Sequence, residues 1–185
     1  MGKIIFITGG ARSGKSRFAE SLLAGKDDVL YVATAIGFDD EMKERIARHR
    51  ARRNSRWETV ECYSGFSRVL PSKLAGRGYI LLDCVTIMVS NVMILDSGID
   101  WDKAGPSEAD AAEKKIMEEA SGFLAIAREF AGEAIIVSNE LGMGLVPPNP
   151  LGRYYRDIAG TVNMKIAAEA DEVYFMVSGI PVRIK

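Results

Sequence analysis

The chain has 185 residues, 48% hydrophobic and 26% charged, with a formal net charge of −1. That is the size and composition of one globular domain with a sizeable core. It gives no reason to expect nucleic acid or an anionic membrane surface as partner, and no run approaches the roughly 18 apolar residues of a membrane helix.

Short apolar runs alternate with helical stretches. "KIIFIT" (Lys3–Thr8) reads as a buried strand whose layout is not that of a signal leader. A helix is expected from about Lys15 to Ala24, then a strand "VLYVA" (Val29–Ala33). From Asp39 to Arg53 the pattern is helical, with Asp39 or Asp40 as N-cap and Glu41 in the first turn. "WETVEC" alternates as a strand does, and "YILLD" (Tyr79–Asp83) is another continuous buried run. "CVTIMVSNVMIL" predicts a buried helix, residues 96–107 a loop, and Glu108 to Phe130 a long helix. "AIIVSN" (Ala134–Asn139) is a strand, followed by a loop carrying Gly142, Gly144, Pro147, Pro148 and Pro150. Leu151, Tyr155, Ile158, Val162 and Ile166 keep helical spacing, and "VYFMVSG" with "PVRIK" is expected to close the chain as a hairpin.

Near-continuous apolar strands separated by amphipathic helices imply one α/β domain over residues 1–185. Its sheet should be mostly parallel, with helices on both faces and an antiparallel hairpin at the end. In such sheets ligands bind at the carboxyl ends of the strands, here just after Thr8, Ala33, Asp83 and Asn139.

"GGARSGKS", Gly9 to Ser16, stands between the first strand and its helix and fits G-x-x-x-x-G-K-[ST] in full. Glycines allow the backbone N–H groups to curl around phosphate oxygens, Lys15 reaches the outer phosphates, and the Ser16 hydroxyl suits Mg²⁺. The match is expected by chance in on the order of one per cent of chains this long, and its strand–helix context argues against chance. Asp83, ending an apolar strand, is a second candidate for Mg²⁺ and also a candidate N-cap for the following helix.

Between Lys43 and Arg56 there are seven Lys/Arg against one Glu, a local +6 on an otherwise acidic chain. That suits a small, highly charged anion. The only histidine, His49, stands inside this patch, on the same helix face as Met42 and Ile46. Two readings are open: a packed side chain, or a nucleophile kept neutral by like charge. In the second reading, Arg48, Arg50, Arg52 and Arg53 would clamp phosphates. Cys62 and Cys84 make no CxxC pair and read as reduced thiols in or near the core, which suits a cytoplasmic protein.

Together, "TGGARSGKSRFAE", "VLYVATA", "DDEMKERIARHRARR", "ILLDCVTIMVSN", "VSNELGMGLVP", "YRDIAG" and "ADEVYFMVSGIPV" resemble the adenosylcobinamide kinase / adenosylcobinamide-phosphate guanylyltransferase family of cobalamin biosynthesis. The resemblance implies a RecA-like P-loop NTPase that assembles as a homotrimer, with adenosylcobinamide and GTP (or ATP for the kinase step) as substrates. It implies phosphorylation of adenosylcobinamide, then transfer of GMP from GTP to the product through a guanylylated histidine, matched here by His49. Gly9, Gly10, Ala11, Arg12, Ser13, Gly14, Lys15 and Ser16 match the family's P-loop. Thr34, Ala35, Ile36, Arg50, Ala51, Arg52, Arg53, Glu61 and Asp83 match its other nucleotide-contacting positions. Two departures stand out: Asp83 where many relatives carry Glu, and "TVNM" (Thr161–Met164) where the family usually reads "R-x-NQ". The competing expectations are a P-loop kinase for another small alcohol with a structural His49, and a regulatory NTP-binding switch protein.

Overall fold

In the computed structural model, which describes residues 1–37 and 40–185 except the side chains of Glu41, Met42, Arg45, His49 and Arg52, every strand joins one sheet. The strands are β1 (Lys3–Gly9), β2 (Val29–Ala33), β3 (Glu58–Glu61), β4 (Tyr79–Asp83), β5 (Glu133–Val137), β6 (Glu172–Val177) and β7 (Ile180–Arg183). Their order is β3-β2-β4-β5-β1-β6-β7. Neighbours run parallel except β6 and β7, which form the antiparallel closing hairpin around Ser178 and Gly179, both at positive φ.

The two-residue period of each strand divides the core into two layers. On one face Ile4, Phe6, Leu30, Val32, Ile80, Leu82, Ala134 and Ile136 form a single apolar cluster. It is covered by α3 (Phe66–Val69), α4 (Val85–Asn91), α5 (Pro106–Glu129) and α6 (Pro150–Glu169). On the other face Ile5, Ile7, Val29, Tyr31, Leu81, Ile135 and Val137 pack with Ala19, on α1 (Lys15–Leu22), and with Leu23 just beyond it. The helix with the basic patch is α2 (Asp40–Arg52). The alternative N-cap Asp39 lies outside the described residues.

Several boundaries shift for local reasons. The long helix begins at Pro106, two residues earlier than its periodicity suggested. Proline needs no N–H at a first helical position, and the Glu108 carboxylate accepts from the Gly105 N–H at 3.1 Å. Asn149 caps α6, its side chain accepting from the Gly152 N–H at 2.6 Å. The 96–107 segment is not a bare loop. Trp101 is buried, and its indole N–H donates to the Met93 carbonyl at 3.0 Å. Met93 lies in a π-helical turn, Val92–Asp96, that extends α4. The short α3 lacks the length for a periodic signal. It is fixed instead by Phe66, fully buried edge-on against Phe123 with ring centroids 5.5 Å apart. Phe66→Ala should therefore cost about 3–5 kcal/mol of stability, measured as a lower urea midpoint with an unchanged slope.

Candidate functional site

Register brings the carboxyl ends of the parallel strands to one edge. Ala33 pairs with Asp83, and Asp83 with Val137, while β5 also pairs with β1 just before the glycine-rich loop. A cavity of about 360 Å³ opens there, large enough for a small-molecule ligand. Its wall includes Arg12, Ser13, Gly14, Lys15 and Ser16 from the loop, Ala35 after β2, Arg50 from α2 and Arg53 just past it, Glu61 at the end of β3, and Asp83. Charged side chains far apart in the sequence thus share one hollow.

The glycine-rich loop is shaped by backbone constraints. Gly14 has φ +96°, and a Cβ there would stand 3.2 Å from the Gly179 Cα of the closing hairpin. The Gly179 N–H donates to the Ser13 carbonyl at 2.9 Å, so the β6–β7 turn braces the loop. Lys15 is buried and its ammonium donates to the Gly10 carbonyl at 2.6 Å. Burial lowers its pKa, against the opposing pull of the nearby Asp83 carboxylate. A bound polyanion would favour the charged ammonium further.

The remaining expected positions fall elsewhere. Gly9, Gly10 and Ala11 form the start of the loop without lining this cavity, and Ala51 is exposed on α2. Ile36 lines an adjoining hollow of about 550 Å³ that shares Ala35, Ile46 and Glu61 with the first. Thr34 is fully buried, and its hydroxyl donates to the Cys84 carbonyl at 2.7 Å and accepts from the Cys84 N–H at 2.8 Å. It pins the end of β2 to the residue after Asp83. His49 and Arg52 lie on α2, their side chains outside the described residues, so the expected inward face of the histidine does too. Arg48 is exposed and paired with Glu44 at 3.6 Å.

Tyr31, Thr59, Cys84, Ile87, Val137 and Asn139 line the cavity as well. Asn139 stands at an edge position the strand pattern had marked. Tyr31 could have been found from period two, since it precedes Ala33 by two residues and shares its face. Ser16 and Asp83 offer a hydroxyl and a carboxylate to the same cavity, hard oxygen donors that fit Mg²⁺. No group of three or more His, Cys, Asp or Glu is gathered among the described residues. Thr161 and Met164, where the sequence departs from its resemblance, line a separate cavity of about 480 Å³ with Glu140, Arg156 and Asp157. The departure therefore leaves the first cavity untouched.

Both cysteines are free thiols, Cys84 buried and Cys62 half-buried. Burial, then the Asp83 charge, pushes the Cys84 thiol up to about 11. No described helix is long and apolar enough to cross a membrane.

The protein family described as cobinamide kinase / cobinamide phosphate guanyltransferase matches residues 5–184, and the chain belongs to it. It is 44% identical to the bifunctional adenosylcobalamin biosynthesis protein CobU of Salmonella typhimurium, over 98% of this chain and 99% of that one. It is also 44% identical to the CobU protein of Escherichia coli, over 98% and 99% of the two chains. Identity with the bifunctional adenosylcobalamin biosynthesis protein CobP of Pseudomonas aeruginosa is 39%, over 97% and 95%.

Two outcomes follow from this geometry. Thr34→Val leaves the Cys84 N–H and carbonyl without their buried partner and should cost about 1–3 kcal/mol in urea unfolding. Because a raised pKa keeps the thiol neutral, Cys84 should react with a maleimide far more slowly than a free thiol at pH 7. Its rate should climb with the thiolate fraction, about tenfold per pH unit, and level off only near pH 11.

Proposed function

We propose that this chain is a RecA-like P-loop NTPase whose one domain, residues 1–185, carries both activities named for its family. It phosphorylates adenosylcobinamide with a nucleoside triphosphate and then guanylylates the product with GTP. The observation that carries this reading is the shared cavity. The loop's Lys15 and Ser16, the acid Asp83, and the arginines Arg50 and Arg53 of the histidine-bearing segment line one hollow. That is a setting for a triphosphate.

In the kinase step the loop amides and Lys15 hold the β- and γ-phosphates while the acceptor hydroxyl oxygen bonds to the γ-phosphorus. The bridging bond to the β-phosphate breaks, the diphosphate leaves, and the hydroxyl proton passes to solvent. In the transfer step an imidazole nitrogen of His49 bonds to the α-phosphorus of GTP as the α–β bridge breaks and pyrophosphate departs. The cobinamide phosphate oxygen then displaces the histidine and takes the GMP group. Arg50 and Arg53 would offset charge on the phosphates through paired N–H donors. Ser16 and Asp83 would hold Mg²⁺, which when bound neutralises phosphate charge. We read the assembly as a homotrimer in the cytoplasm. The exposed apolar side chains of edge strand β7, Ile180 and Val182, support self-association.

With α-labelled GTP and Mg²⁺, the protein should acquire acid-labile, alkali-stable label, absent in His49→Ala. That variant should retain phosphorylation of adenosylcobinamide, while Lys15→Ala should lose both activities. A wild type that stays unlabelled would leave a kinase with a structural histidine. A wild type that binds nucleotide without modifying the corrinoid at all would leave a switch protein. Loss of both activities in folded His49→Ala would overturn the division of roles.

A further inference from the structure

The core layer beneath α6 does not close in hydrocarbon at the carboxyl edge of the sheet. By period two Thr8 follows Ile4 and Phe6 on that face, and it lines the hollow of about 480 Å³ shared with Thr161 and Met164. Thr8 is 8% exposed and Asn163, on α6, 9%. Among the described residues, Thr8 Oγ1 and Asn163 Oδ1 have no hydrogen-bond partner. The Asn163 amide nitrogen donates to the Asn139 carbonyl, which fixes the oxygen as the end left over.

A buried hydroxyl and a buried amide oxygen are costly to leave unpaired, so two such atoms on the wall of one hollow point to a ligand. A water takes only about 30 Å³, far less than this space. Other parts of the wall are apolar: Phe6, Ala167 and Val173, with Met164 and Ile184 largely exposed. Of the charged groups there, Asp157 is exposed, and two are engaged with the loop after β5. Glu140 accepts from the Met143 N–H at 3.2 Å, and Arg156 donates to the Gly142 carbonyl at 2.8 Å. An acceptor oxygen and a hydroxyl able to donate, among apolar groups, match a neutral primary carboxamide. Its NH₂ would donate to Asn163 Oδ1, and its carbonyl would accept from Thr8. The hollow also abuts the nucleotide cavity. Thr8 precedes Gly9, whose carbonyl accepts from the Glu140 N–H at 2.9 Å. Asn139 lines the nucleotide cavity while its carbonyl holds Asn163. Backbone at 8–9 and 139–140 therefore separates the two spaces.

We infer that this second hollow docks the corrinoid acceptor. It takes one edge of adenosylcobinamide, a corrin ring whose periphery bears methyl groups and primary carboxamides. Thr8 and Asn163 read one carboxamide, and the apolar wall meets the methyl groups. The inference rests on the reading of the first cavity as the nucleotide's.

Calorimetric titration with adenosylcobinamide, and separately with GTP, tests it on wild type, Thr8→Val, Thr8→Ser and Gly160→Trp. Gly160 lines the hollow from an exposed helix position where an added Cβ meets nothing within 4 Å, so an indole can fill the space. Thr8→Val keeps the shape and removes the hydroxyl. Its Kd for adenosylcobinamide should rise about tenfold, and Thr8→Ser should stay within about threefold of wild type. Gly160→Trp should raise that Kd about fiftyfold or more and shift the Kd for GTP by less than about twofold. Cobinamide whose carboxamides are hydrolysed to carboxylates should bind wild type about tenfold more weakly or worse, with no further loss in Thr8→Val. Unchanged adenosylcobinamide binding in Thr8→Val or in Gly160→Trp would overturn the inference, while GTP binding and phosphorylation of adenosylcobinamide by wild type would leave the nucleotide reading standing. So would an equal loss of GTP binding in Gly160→Trp, or a hydrolysed corrinoid that binds as well as the amide. A Gly160→Trp protein of lower sedimenting mass with an unchanged corrinoid Kd would assign the hollow to a second copy of this chain and overturn the inference too. If Thr8→Val fails to fold, Gly160→Trp and the hydrolysed corrinoid still decide. A folded wild type that neither binds GTP nor phosphorylates adenosylcobinamide overturns this inference and the nucleotide reading together.

Discussion

Parallel register is the constraint on which the site depends. Five strands run side by side from β3 to β1, and their pairing brings Glu61, Ala33, Asp83 and Val137 level at one edge. In a parallel sheet, each strand delivers its carboxyl end to the same side. Residues separated by dozens of positions therefore meet without any special device. The period of two then selects which of them face the loop. Leu82 belongs to the hydrocarbon layer under α4 and α5, whereas its neighbour Asp83 belongs to the layer that includes α1.

A cavity of this kind gathers charges that would otherwise be costly to hold close together, and the structure manages them by hydrogen bonding. Lys15 is buried with a backbone carbonyl as partner. Asp83 receives the Tyr31 hydroxyl, whose own pKa is raised first by burial and then by that carboxylate, so it remains a donor. Thr34 closes both backbone groups of Cys84, fixing the chain just beyond Asp83. These contacts give Lys15, Asp83 and the Cys84 backbone their partners before a ligand arrives, and preorganised groups lose little on binding one.

Much of this was legible in the sequence because it follows from short-range rules. Apolar runs marked the strands, the glycine spacing marked the loop, and an acid ending "YILLD" marked the edge. The closing hairpin was legible too, from two β-rich runs around Ser-Gly. What escaped depends on contacts between distant residues. Period two puts Tyr31 on the face of Ala33, but only register shows that its hydroxyl meets Asp83. Trp101 reads as a loop residue until the Met93 carbonyl, freed by a π-helical turn, accepts its N–H. Phe66 opens a helix too short to show a period. Thr34 matched a contact position by resemblance, but its burial depends on a strand 50 residues away.

The edge is also tied to the helical layer on the opposite face. Asn139 donates to the Thr86 hydroxyl at 2.6 Å, and the Tyr155 hydroxyl donates to the Thr86 carbonyl at 3.1 Å. Asn163 donates to the Asn139 carbonyl at 3.0 Å, and Asn91 to the Thr34 carbonyl at 2.8 Å. Through these bonds α4 and α6 hold the chain immediately after β2 and β5, where apolar packing alone would leave backbone groups unpaired. Tyr155 and Asn163 are thus structural partners of the cavity edge, although neither lines the cavity. By contrast, Thr161 bonds to its own helix at the Asp157 carbonyl, and Met164 is exposed. Asn163 nevertheless lines the same separate cavity as Thr161 and Met164, so that one side chain links the edge held through Asn139 to the cavity where the sequence departs from the family pattern.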